Sequence, residues 1–429
     1  MLRATRKERR IAAPLGIVGA LALGIYCMAG SACTRQGLTD GAIDTAMSSA
    51  HRAPPQVGTT TLPFPAPAPG KALLLLAGDL HTHVSPPDHP SHVSRGLAET
   101  IDLAREEGLD FVVLTPHVAA RFFADQGERA AVLAQQAALR EDLARYPDVK
   151  TIFILGFEYT DHRYGHVGVG FADLEKVLAA VPVREARKNP ERFFERYVAE
   201  GGFLTVNHPL VTPIDSFISI ARADLSWRPW TAPGTFPAEI RAVSRLAQGY
   251  EAFNLTATHL RDRYLLGDTE RTLRGTLARL DQEIVGRRQR LLPVGGSDSH
   301  SAHLRATTFV LSESRTQAGI RDALRAGRVC IRSPGACSLE VRAVEGAESS
   351  PSAAWHGVGG SVSAPGAVLA RATGGEIEIV VNGQTVARPD SGVAASLPLD
   401  PTVCSVVRAR VDEGFSAPIY VNCPFSTQL

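Results

Sequence analysis

The sequence predicts an α/β fold built on a parallel sheet, open or closed into a barrel, with a small all-β domain after it. Three observations support this prediction. Strand-like and helix-like segments alternate between residues 72 and 335. Polar side chains follow six of the strand-like segments, where a barrel of parallel strands has its catalytic face. Beyond residue 335 the helical segments give way to short strands.

Length and composition describe an ordinary globular chain. The 429 residues suffice for two or three domains, and 44% are hydrophobic and 21% charged. The formal net charge is only +1, so no bulk field attracts nucleic acid or an anionic surface. We therefore expect no nucleic-acid partner.

The N-terminus resembles a targeting segment. Basic residues up to Arg10 precede an apolar stretch, residues 11–30, which small residues connect to Cys33. Residues 1–33 are therefore predicted to be a signal peptide that directs export to the periplasm or cell surface. Cys33 after small residues resembles a lipoprotein cleavage site; simple cleavage and an uncleaved anchor are the alternatives. Any membrane contact is expected only through this segment or its lipid.

Residues 34–71 are predicted to be a linker. Pro63, Pro65, Pro67 and Pro69 alternate with other residues, which favours a stiff, extended spacer over a packed element. The spacer could hold a catalytic body, starting at residue 72, away from a membrane.

The following region, residues 72–335, alternates strands with helices. The apolar run 73–76 opens it, and Gly108 ends the first helix. The other predicted strands are 111–114, 151–155, 167–171, 203–206, 250–253, 291–294 and 307–311. The predicted helices are 97–108, 128–146, 261–288 and 316–326.

Residues 336–429 are predicted to form a small sandwich-like β domain. The pair Asn382-Gly383 between two strand-like runs is a strong hairpin signal. Four cysteines lie in the last hundred residues, and export would permit disulfides. Local pairing, Cys330 with Cys337 and Cys404 with Cys423, is the simplest of three connectivities, and four buried thiols are the alternative.

The stretch around His81 and His83 organises the rest of the chain. The two histidines end a strand-like run at positions i and i+2, so both imidazoles leave the strand on the same side. Eight of the 13 histidines lie between His81 and His208, and Asp298 and His300 follow another strand-like run. Clusters of this kind are typical of a multinuclear metal site.

Together these motifs resemble the PHP (polymerase and histidinol phosphatase) superfamily of metallohydrolases, and the fuller pattern is similar to its CehA/McbA branch. The resemblance covers residues 72–335. The motifs that carry it are Asp79-Leu80-His81-Thr82-His83, Thr115-Pro116-His117, Gly156-Phe157-Glu158, Gly165-His166-Val167, Asn207-His208-Pro209 and Gly296-Ser297-Asp298-Ser299-His300. It implies a distorted (β/α)7 barrel that holds two or three divalent ions, with zinc, manganese and iron all compatible with the ligand types.

The resemblance also implies a ligand set, taken position by position. The first ion would be held by His81, His83, Glu158 and Asp298. The second would be held by the bridging Glu158 with His166 and His208. The third would be held by His89, His117 and His300. His92 competes with His89, and His162 competes with His166.

One position departs from the family pattern. The second motif usually reads Thr-Asp-His, but Pro116 stands in place of the Asp, which puts the third ion in doubt. Nearby, Arg305 could bind a substrate anion or form a surface salt bridge. The aromatic segment 227–230 is a candidate lid or a packed loop. Glu251 and Asn254 are expected to support ligands, and His259 and His303 to be structural.

The function that we expect is hydrolysis of a small-molecule ester. An exported phosphoesterase that uses a metal-activated water is the leading hypothesis, with Asp298, Glu158 and Arg305 as catalytic residues. A carboxyl or carbamate ester hydrolase of the same fold is the second hypothesis. A non-catalytic surface-binding protein is the third. Nothing in the sequence indicates the oligomeric state.

Overall fold

The computed structural model describes residues 72–301, 303–344 and 354–425. The predicted signal peptide at 1–33, the lipid on Cys33 and the spacer at 34–71 lie outside these residues. Within the described ranges, no helix has both the length and the apolar character that crossing a bilayer requires.

Twenty strands and eleven helices make up the described chain. The strands are β1 Leu74–Thr82, β2 Phe111–Leu114, β3 His117–Ala119, β4 Ile152–Asp161, β5 Gly165–Gly170, β6 Phe203–Val206, β7 Gly249–Asn254, β8 Leu292–Gly296, β9 Thr308–Ser312, β10 Val329–Ile331, β11 Glu340–Val344, β12 His356–Gly357, β13 Ser361–Val362, β14 Ala367–Arg371, β15 Ile377–Val381, β16 Gln384–Ala387, β17 Ala395–Pro398, β18 Ser405–Val411, β19 Gly414–Ser416 and β20 Ile419–Val421. The helices are α1 Leu97–Glu106, α2 Gln126–Ala144, α3 Leu174–Ala180, α4 Val183–Lys188, α5 Glu191–Ala199, α6 Phe217–Ile220, α7 Arg228–Thr231, α8 Ala238–Leu246, α9 Leu255–Tyr264, α10 Thr269–Arg287 and α11 Gln317–Arg325. Two 3₁₀ turns lie at Phe122–Ala124 and Pro334–Ser338.

A curled sheet forms the first two thirds of the molecule. Its strands follow the order β1-β2-β4-β5-β6-β7-β8, and a parallel bridge between Thr82 and Ser299 brings β8 back beside β1. The pairs β1–β2, β2–β4, β6–β7 and β7–β8 are parallel, whereas β5 runs antiparallel to both neighbours. The sheet is therefore mixed rather than all-parallel, and it curls as a half-barrel that fits the expected barrel only in its coarse form.

Close packing fixes β1 at the centre of this sheet. Gly78 lies under the ring of Phe111, where a Cβ atom would approach within 2.5 Å, so only glycine fits. The Asp79 carboxylate is fully buried and accepts hydrogen bonds from the Ser297 amide at 2.7 Å and from Thr307 Oγ1 at 3.1 Å. These contacts join β1 to the end of β8 and the start of β9, and so close the curl beside the histidine strand end.

The C-terminal region is all-β, as the sequence predicts, and its strands are divided between two sheets. Strand β10 pairs with β19, and through this pair the strands β13, β15, β16 and β18–β20 belong to the same 16-stranded sheet as the barrel. Only β12-β11-β14-β17 form a sheet of their own. The hairpin prediction is confirmed, because Asn382 and Gly383 both have positive φ between β15 and β16. The sequence patterns identify these strands but do not show which sheet each one joins.

Both predicted disulfides are present. Cys330 is bonded to Cys337, and Cys404 is bonded to Cys423. The first ties β10 to the following 3₁₀ turn, and the second ties the start of β18 to the residues after β20. Local connectivity is therefore confirmed over buried free thiols.

Candidate metal centre

Eight of the nine predicted ligands meet at the carboxyl end of the curled sheet. His81 lies in β1, Glu158 in β4, His166 in β5 and His117 at the start of β3. His83, His208, Asp298 and His300 follow strand ends. The sequence predicts that Glu158 lies beyond its strand, but β4 continues to Asp161, so this carboxylate projects from the sheet itself.

His81 and His83 face each other with their Nε2 atoms 3.2 Å apart. The Nδ1 atom of His81 lies 3.0 Å from Glu251 Oε1, and that of His83 lies 3.1 Å from Asp88 Oδ2. The carboxylates beside Nδ1 orient both rings so that their two Nε2 atoms point at one another. Two ligand nitrogens of a tetrahedral ion are separated by about 3.3 Å, given metal–nitrogen bonds of about 2.0–2.1 Å. The spacing therefore fits a shared cation.

Glu158 lies at the middle of the cluster and is only 1% exposed. Its Oε1 atom lies 3.1 Å from His81 Nε2 and 3.3 Å from His166 Nδ1. Its Oε2 atom lies 3.4 Å from His117 Nε2 and 4.0 Å from His83 Nε2. Each oxygen thus serves a different set of imidazoles, as a carboxylate that bridges two ions does.

His166 and His208 complete a second buried group around Glu158. Both histidines are 5% exposed, and His208 Nε2 lies 3.8 Å from Glu158 Oε1. The His166 Nε2 and His208 Nδ1 atoms are buried without a hydrogen-bond partner among the described residues. Buried imidazole nitrogens without partners are costly unless an ion or water satisfies them.

A third group, His83, His117 and His300, faces the outside. The His83 ring stacks on both neighbours, with centroids 4.0 Å from His117 and 4.2 Å from His300. The side chains of His117 and His300 are each 24% exposed. This group therefore forms the mouth of the cluster, where a substrate would arrive first.

Asp298 joins the first group to the mouth. Its Oδ1 atom lies 3.4 Å from His81 Nε2 and 3.2 Å from His83 Nε2, and its side chain is 15% exposed. Asn254 donates to its other oxygen at 3.2 Å. Asp298 is thus the carboxylate of the cluster that is nearest to solvent.

Amide and carboxylate groups behind the cluster hold the ligands in place. Glu251 accepts the His208 backbone amide at 2.7 Å, as well as contacting His81 Nδ1, and Asn254 donates to it at 2.9 Å. Asn207 donates to Glu158 Oε1 at 2.8 Å. The expected supporting role of Glu251 and Asn254 agrees with these contacts.

Asp88 is a site residue that the sequence prediction missed. Its two oxygens lie 3.1 Å from the Nδ1 atoms of His83 and His117, and the His117 backbone amide donates to it at 2.8 Å. One carboxylate therefore orients imidazoles from two different strands, in a site where Pro116 provides no carboxylate. The available signal was an acidic residue five positions after His83 in a Pro-rich loop.

His89 does not join the cluster. It is exposed, and its Nδ1 atom lies 2.7 Å from Ser91 Oγ. His92 lies at the mouth instead, with its ring 4.9 Å from that of His117 and 4.7 Å from that of His300. The loop after β1 turns back on itself, so the ring that the sequence spacing favours points away. The geometry favours His92 over His89.

The remaining candidates lie outside the three candidate ligand groups. Arg305 is exposed and forms no hydrogen bond or ion pair with any described residue, so the salt-bridge alternative finds no support. His162 is exposed, with its ring 5.9 Å from that of His166. Trp227 is fully buried and Trp230 stacks on Tyr250 at 4.7 Å, so the segment 227–230 is packed and is not a lid.

His259 and His303 lie near one another, with rings 5.8 Å apart. His303 Nε2 lies 3.0 Å from Thr256 Oγ1, which also donates to the Asp298 backbone carbonyl at 2.9 Å. His303 thus helps to fix the loop that carries Asp298, in agreement with the expected structural role.

The electrostatic field of the cluster favours cations. Burial lowers the pKa of His81, but the carboxylates of Asp298, Glu251 and Glu158 together raise it well above its ordinary value. Burial likewise lowers the pKa of His83, but the hydrogen bonds that its ring donates to Asp298 and Asp88 raise the pKa to about 9. The same carboxylates would attract a divalent ion in place of these protons.

At the mouth of the cluster, the imidazole pKa values are lowered rather than raised. Burial and the neighbouring His83 hold the pKa of His300 well below its usual value. Burial, then His117 and His83, lower the pKa of His92 to about 4. Neutral imidazoles are the form that binds a metal. The donor set, its orphaned nitrogens and its charges therefore fit divalent ions.

No protein-family model matches the chain, and no curated protein matches it. Several solved structures are similar to it. PsfC from Pseudomonas syringae PB-5123 is 17% identical with a TM-score of 0.32, over 56% of this chain and 82% of that one. The lesion-specific endonuclease Q of Pyrococcus furiosus is 14% identical with a TM-score of 0.33, over 63% of this chain and 62% of that one.

A presumed metal-dependent phosphoesterase from Bifidobacterium adolescentis is 15% identical with a TM-score of 0.29, over 58% of this chain and 95% of that one. It and endonuclease Q are members of the PHP superfamily, which the motifs resemble, and neither distinguishes the CehA/McbA branch. At these TM-scores the likeness carries no weight for activity or substrate, so both are inferred from the site itself.

Proposed function

We propose that this chain is an exported, metal-dependent hydrolase of the PHP superfamily and its CehA/McbA branch, and that it cleaves phosphate esters. The single observation that supports hydrolysis most strongly is the position of Glu158, whose two oxygens lie among imidazoles from three strands. A buried carboxylate in this setting is suited to bridge two cations.

The residues divide into three ligand groups. His81, His83, Glu158 and Asp298 would hold the first ion, and Glu158, His166 and His208 the second. His83, His117 and His300 would hold a third, with His92 beside them at the mouth. Divalent ions bound there would lower the pKa of a water molecule and polarise the ester.

The chain's own side chains would prepare the reaction around those ions. Asp298 is the carboxylate nearest to solvent, and Asn254 holds its outer oxygen, so it is placed to accept a proton from attacking water. Glu251 and Asp88 lie against the Nδ1 atoms of His81 and His83 and so turn the two Nε2 atoms inward, towards the position of the ions.

Two features favour a phosphate ester over a carboxyl or carbamate ester. The mouth carries a third imidazole group of its own, and the exposed Arg305 guanidinium follows His300 by five residues without an ion-pair partner in the described chain. A dianionic phosphate gains more from additional cations at close range than a neutral ester carbonyl does.

The test is a pair of kcat/KM values for the purified full-length chain supplied with manganese or zinc, one for an aryl phosphate and one for an aryl acetate. We expect the phosphate to be cleaved faster, and His117→Ala and Arg305→Ala to reduce phosphate cleavage more than acetate cleavage. Faster cleavage of the acetate would favour the carboxyl-ester alternative, and no turnover of either ester with full metal content would favour a non-catalytic binding protein.

A further inference from the structure

Five exposed apolar side chains on two neighbouring segments, 214–220 and 264–265, form what we call the apolar arm. They are Ile214 (48% exposed), Phe217 (72%), Ile220 (68%), Tyr264 (40%) and Leu265 (90%). Phe217 and Ile220 are three residues apart in α6 and so lie on one side of its single turn. Contiguous exposed apolar groups of this size commonly mark a contact surface.

The apolar arm lies at the same end of the sheet as the metal cluster. One segment follows β6 and His208, and the other lies at the end of α9, whose N-cap is Asn254. Both starting residues contact the cluster, since His208 is a candidate ligand and Asn254 holds Asp298. Both segments that carry the arm therefore start beside the metal cluster.

The base of the arm is densely bonded although its tip is exposed. Buried Asp224 accepts hydrogen bonds from Thr212 Oγ1 at 2.7 Å and from Ser226 Oγ at 2.8 Å. Arg228 contacts the same carboxylate at 3.4 Å and donates to the Asp224 carbonyl at 2.6 Å. The network holds the first loop in a defined path, so the exposure of its tip is not a consequence of loose packing.

The two loops are also fixed to each other. Arg261 donates to the Val211 carbonyl at 2.6 Å, and Arg271 is ion-paired with Asp215. Pro213 packs against Gly267, where a Cβ atom would lie 2.7 Å from the proline ring. Leu265 sits between these contacts with φ at +53°, a conformation that leucine seldom adopts. The chain thus maintains an exposed leucine at a conformational cost.

We propose that the apolar arm inserts into the lipid–water interface of a membrane and turns the catalytic mouth towards it. Charges of both signs surround the arm, among them Asp215, Arg222 and Asp262, so the surface does not match a polyanion. Apolar tips with mixed polar surroundings are suited to the headgroup boundary.

The sequence outside the described residues supports a membrane as the occupant. Residues 11–30 are an apolar stretch, and residues 34–71 are a spacer of 38 residues. Extended like polyproline II at about 3.1 Å per residue, the predicted Pro-rich spacer would span up to about 120 Å. The catalytic body has a radius of gyration of about 20 Å for its size. A spacer that connects a membrane-held segment 11–30 to β1 is therefore long enough for the opposite end of the catalytic body to contact the same bilayer.

The inference rests on the proposed function in one respect, because it names the substrate class: an ester carried by an amphiphile whose apolar part remains in the lipid. The metal cluster would then act on the polar portion at the membrane surface. Docking of the arm itself does not depend on catalysis, so the two can be tested separately.

The first experiment measures contact with lipid. The full-length chain carries Phe217→Trp or Leu265→Trp and is reconstituted in phosphatidylcholine vesicles with or without brominated acyl chains. We expect the brominated lipid to quench the introduced tryptophan at least twofold more than in Val386→Trp, whose site is 50% exposed in β16 of the C-terminal region. Equal quenching at all three positions would overturn the proposal.

Self-association is the competing explanation for the arm, and the same variants distinguish it. If Phe217→Trp emission shifts to the blue with protein concentration in the absence of vesicles, and Phe217→Asp abolishes a dimer, the occupant is a second copy and the lipid proposal fails. A monomer whose emission shifts only with vesicles supports it.

The second experiment concerns the substrate. In vesicle-reconstituted enzyme, Phe217→Asp/Ile220→Asp should raise KM for a long-chain phosphate ester about tenfold and leave a short aryl phosphate unchanged, whereas Val386→Asp should change neither. Equal effects on both esters would refute the substrate class. Lipid quenching without hydrolysis of any ester would instead refute the proposed function and leave the docking intact.

Discussion

Glu158 and Asp298 are the two carboxylates whose negative charges we expect to matter most to the metal cluster. Both contact His81 and His83, and burial opposes the imidazole contacts that hold each pKa well below its usual value. We expect Glu158→Gln and Asp298→Ala each to reduce kcat/KM at least 10³-fold while the circular dichroism spectrum is retained. Glu128→Gln, an exposed change in α2, is the control; near-normal turnover with full metal content in either variant would contradict the site assignment.

Asp88 should affect metal affinity without contacting the metal. Asparagine offers only one acceptor oxygen, so Asp88→Asn leaves one of the two Nδ1–H groups of His83 and His117 facing an amide NH₂. We expect the dissociation constant of the most weakly held ion to rise about 10- to 100-fold, as loss of a carboxylate behind a histidine ligand does. Titration with a chelating dye measures it, with exposed Asp102→Asn as the control; an unchanged constant would refute the role.

His83 gives the metal-free protein a characteristic pH dependence. Its folded pKa of about 9 lies above the unfolded value of 6.5, so its stabilising effect is complete below pH 6.5 and is lost as the pH rises towards 9. We expect the free energy of unfolding to fall by up to roughly 3 kcal/mol over that interval in the presence of a chelator. Urea titrations at a series of pH values measure this free energy of unfolding. Metal-loaded protein should show no such fall. A free energy of the metal-free protein that does not change over this pH interval would contradict the prediction.

Site residues in a strand or just after its end could be predicted from the sequence, whereas those farther along an irregular loop could not. The pairing of His81 with His83 follows from the two-residue period of a strand, which is independent of the rest of the fold. The choice between His89 and His92 depends on how the loop after β1 turns, and the role of Asp88 depends on the same path. No spacing rule describes that path, since the loop has no regular secondary structure.

The contact between α10 and β18 joins the barrel to the C-terminal strands through a buried ion pair. Arg408 Nε lies 2.6 Å from Asp281 Oδ1, and both side chains are at most 2% exposed. Arg408→Met leaves the carboxylate buried without its cation, and we expect a loss of about 3–5 kcal/mol of stability. The double variant Asp281→Leu/Arg408→Met should recover most of the lost stability. Thermal or urea unfolding of both variants measures the difference. An equal loss of stability in both variants would refute the ion-pair explanation.

Among the secondary-structure elements, apolar runs of strand length predicted where a strand lies in the sequence better than whether it runs parallel or antiparallel to its neighbours. Strands β2, β6 and β8 lie within two residues of their predicted bounds because each is a short, fully buried run. The sequence analysis predicted a strand at the position of β5 but did not predict that it runs antiparallel to its neighbours. Only three residues separate it from β4, which is too short for a parallel crossover, so the direction was in principle available from the sequence.

The pairing of β10 with β19 joins the strands of both parts of the chain in one continuous sheet. We therefore expect the whole molecule to fold as one unit. Buried residues from β1, β9, β11 and β18 also belong to a single hydrophobic cluster. We expect residues 72–335 alone to be insoluble or molten, and the full chain to unfold in one transition. Differential scanning calorimetry checks both, with the matching fragment 72–425 as the control; a soluble 72–335 fragment with a sharp transition would instead support two separable domains.

The pairing of β1 with β9 also has a consequence for timing. Leu74 pairs with Ser312, so the strand that carries His81 cannot complete its sheet until 238 further residues (312 − 74) have been synthesised. At about 5–20 residues per second, that interval lasts roughly 10–50 s. During it the leucine-rich edge has no lasting partner, and the nascent chain must be shielded by chaperones or by passage across a membrane in an extended state. The proposed first ion also gains its fourth ligand late, because Asp298 lies 140 residues beyond Glu158 in the chain.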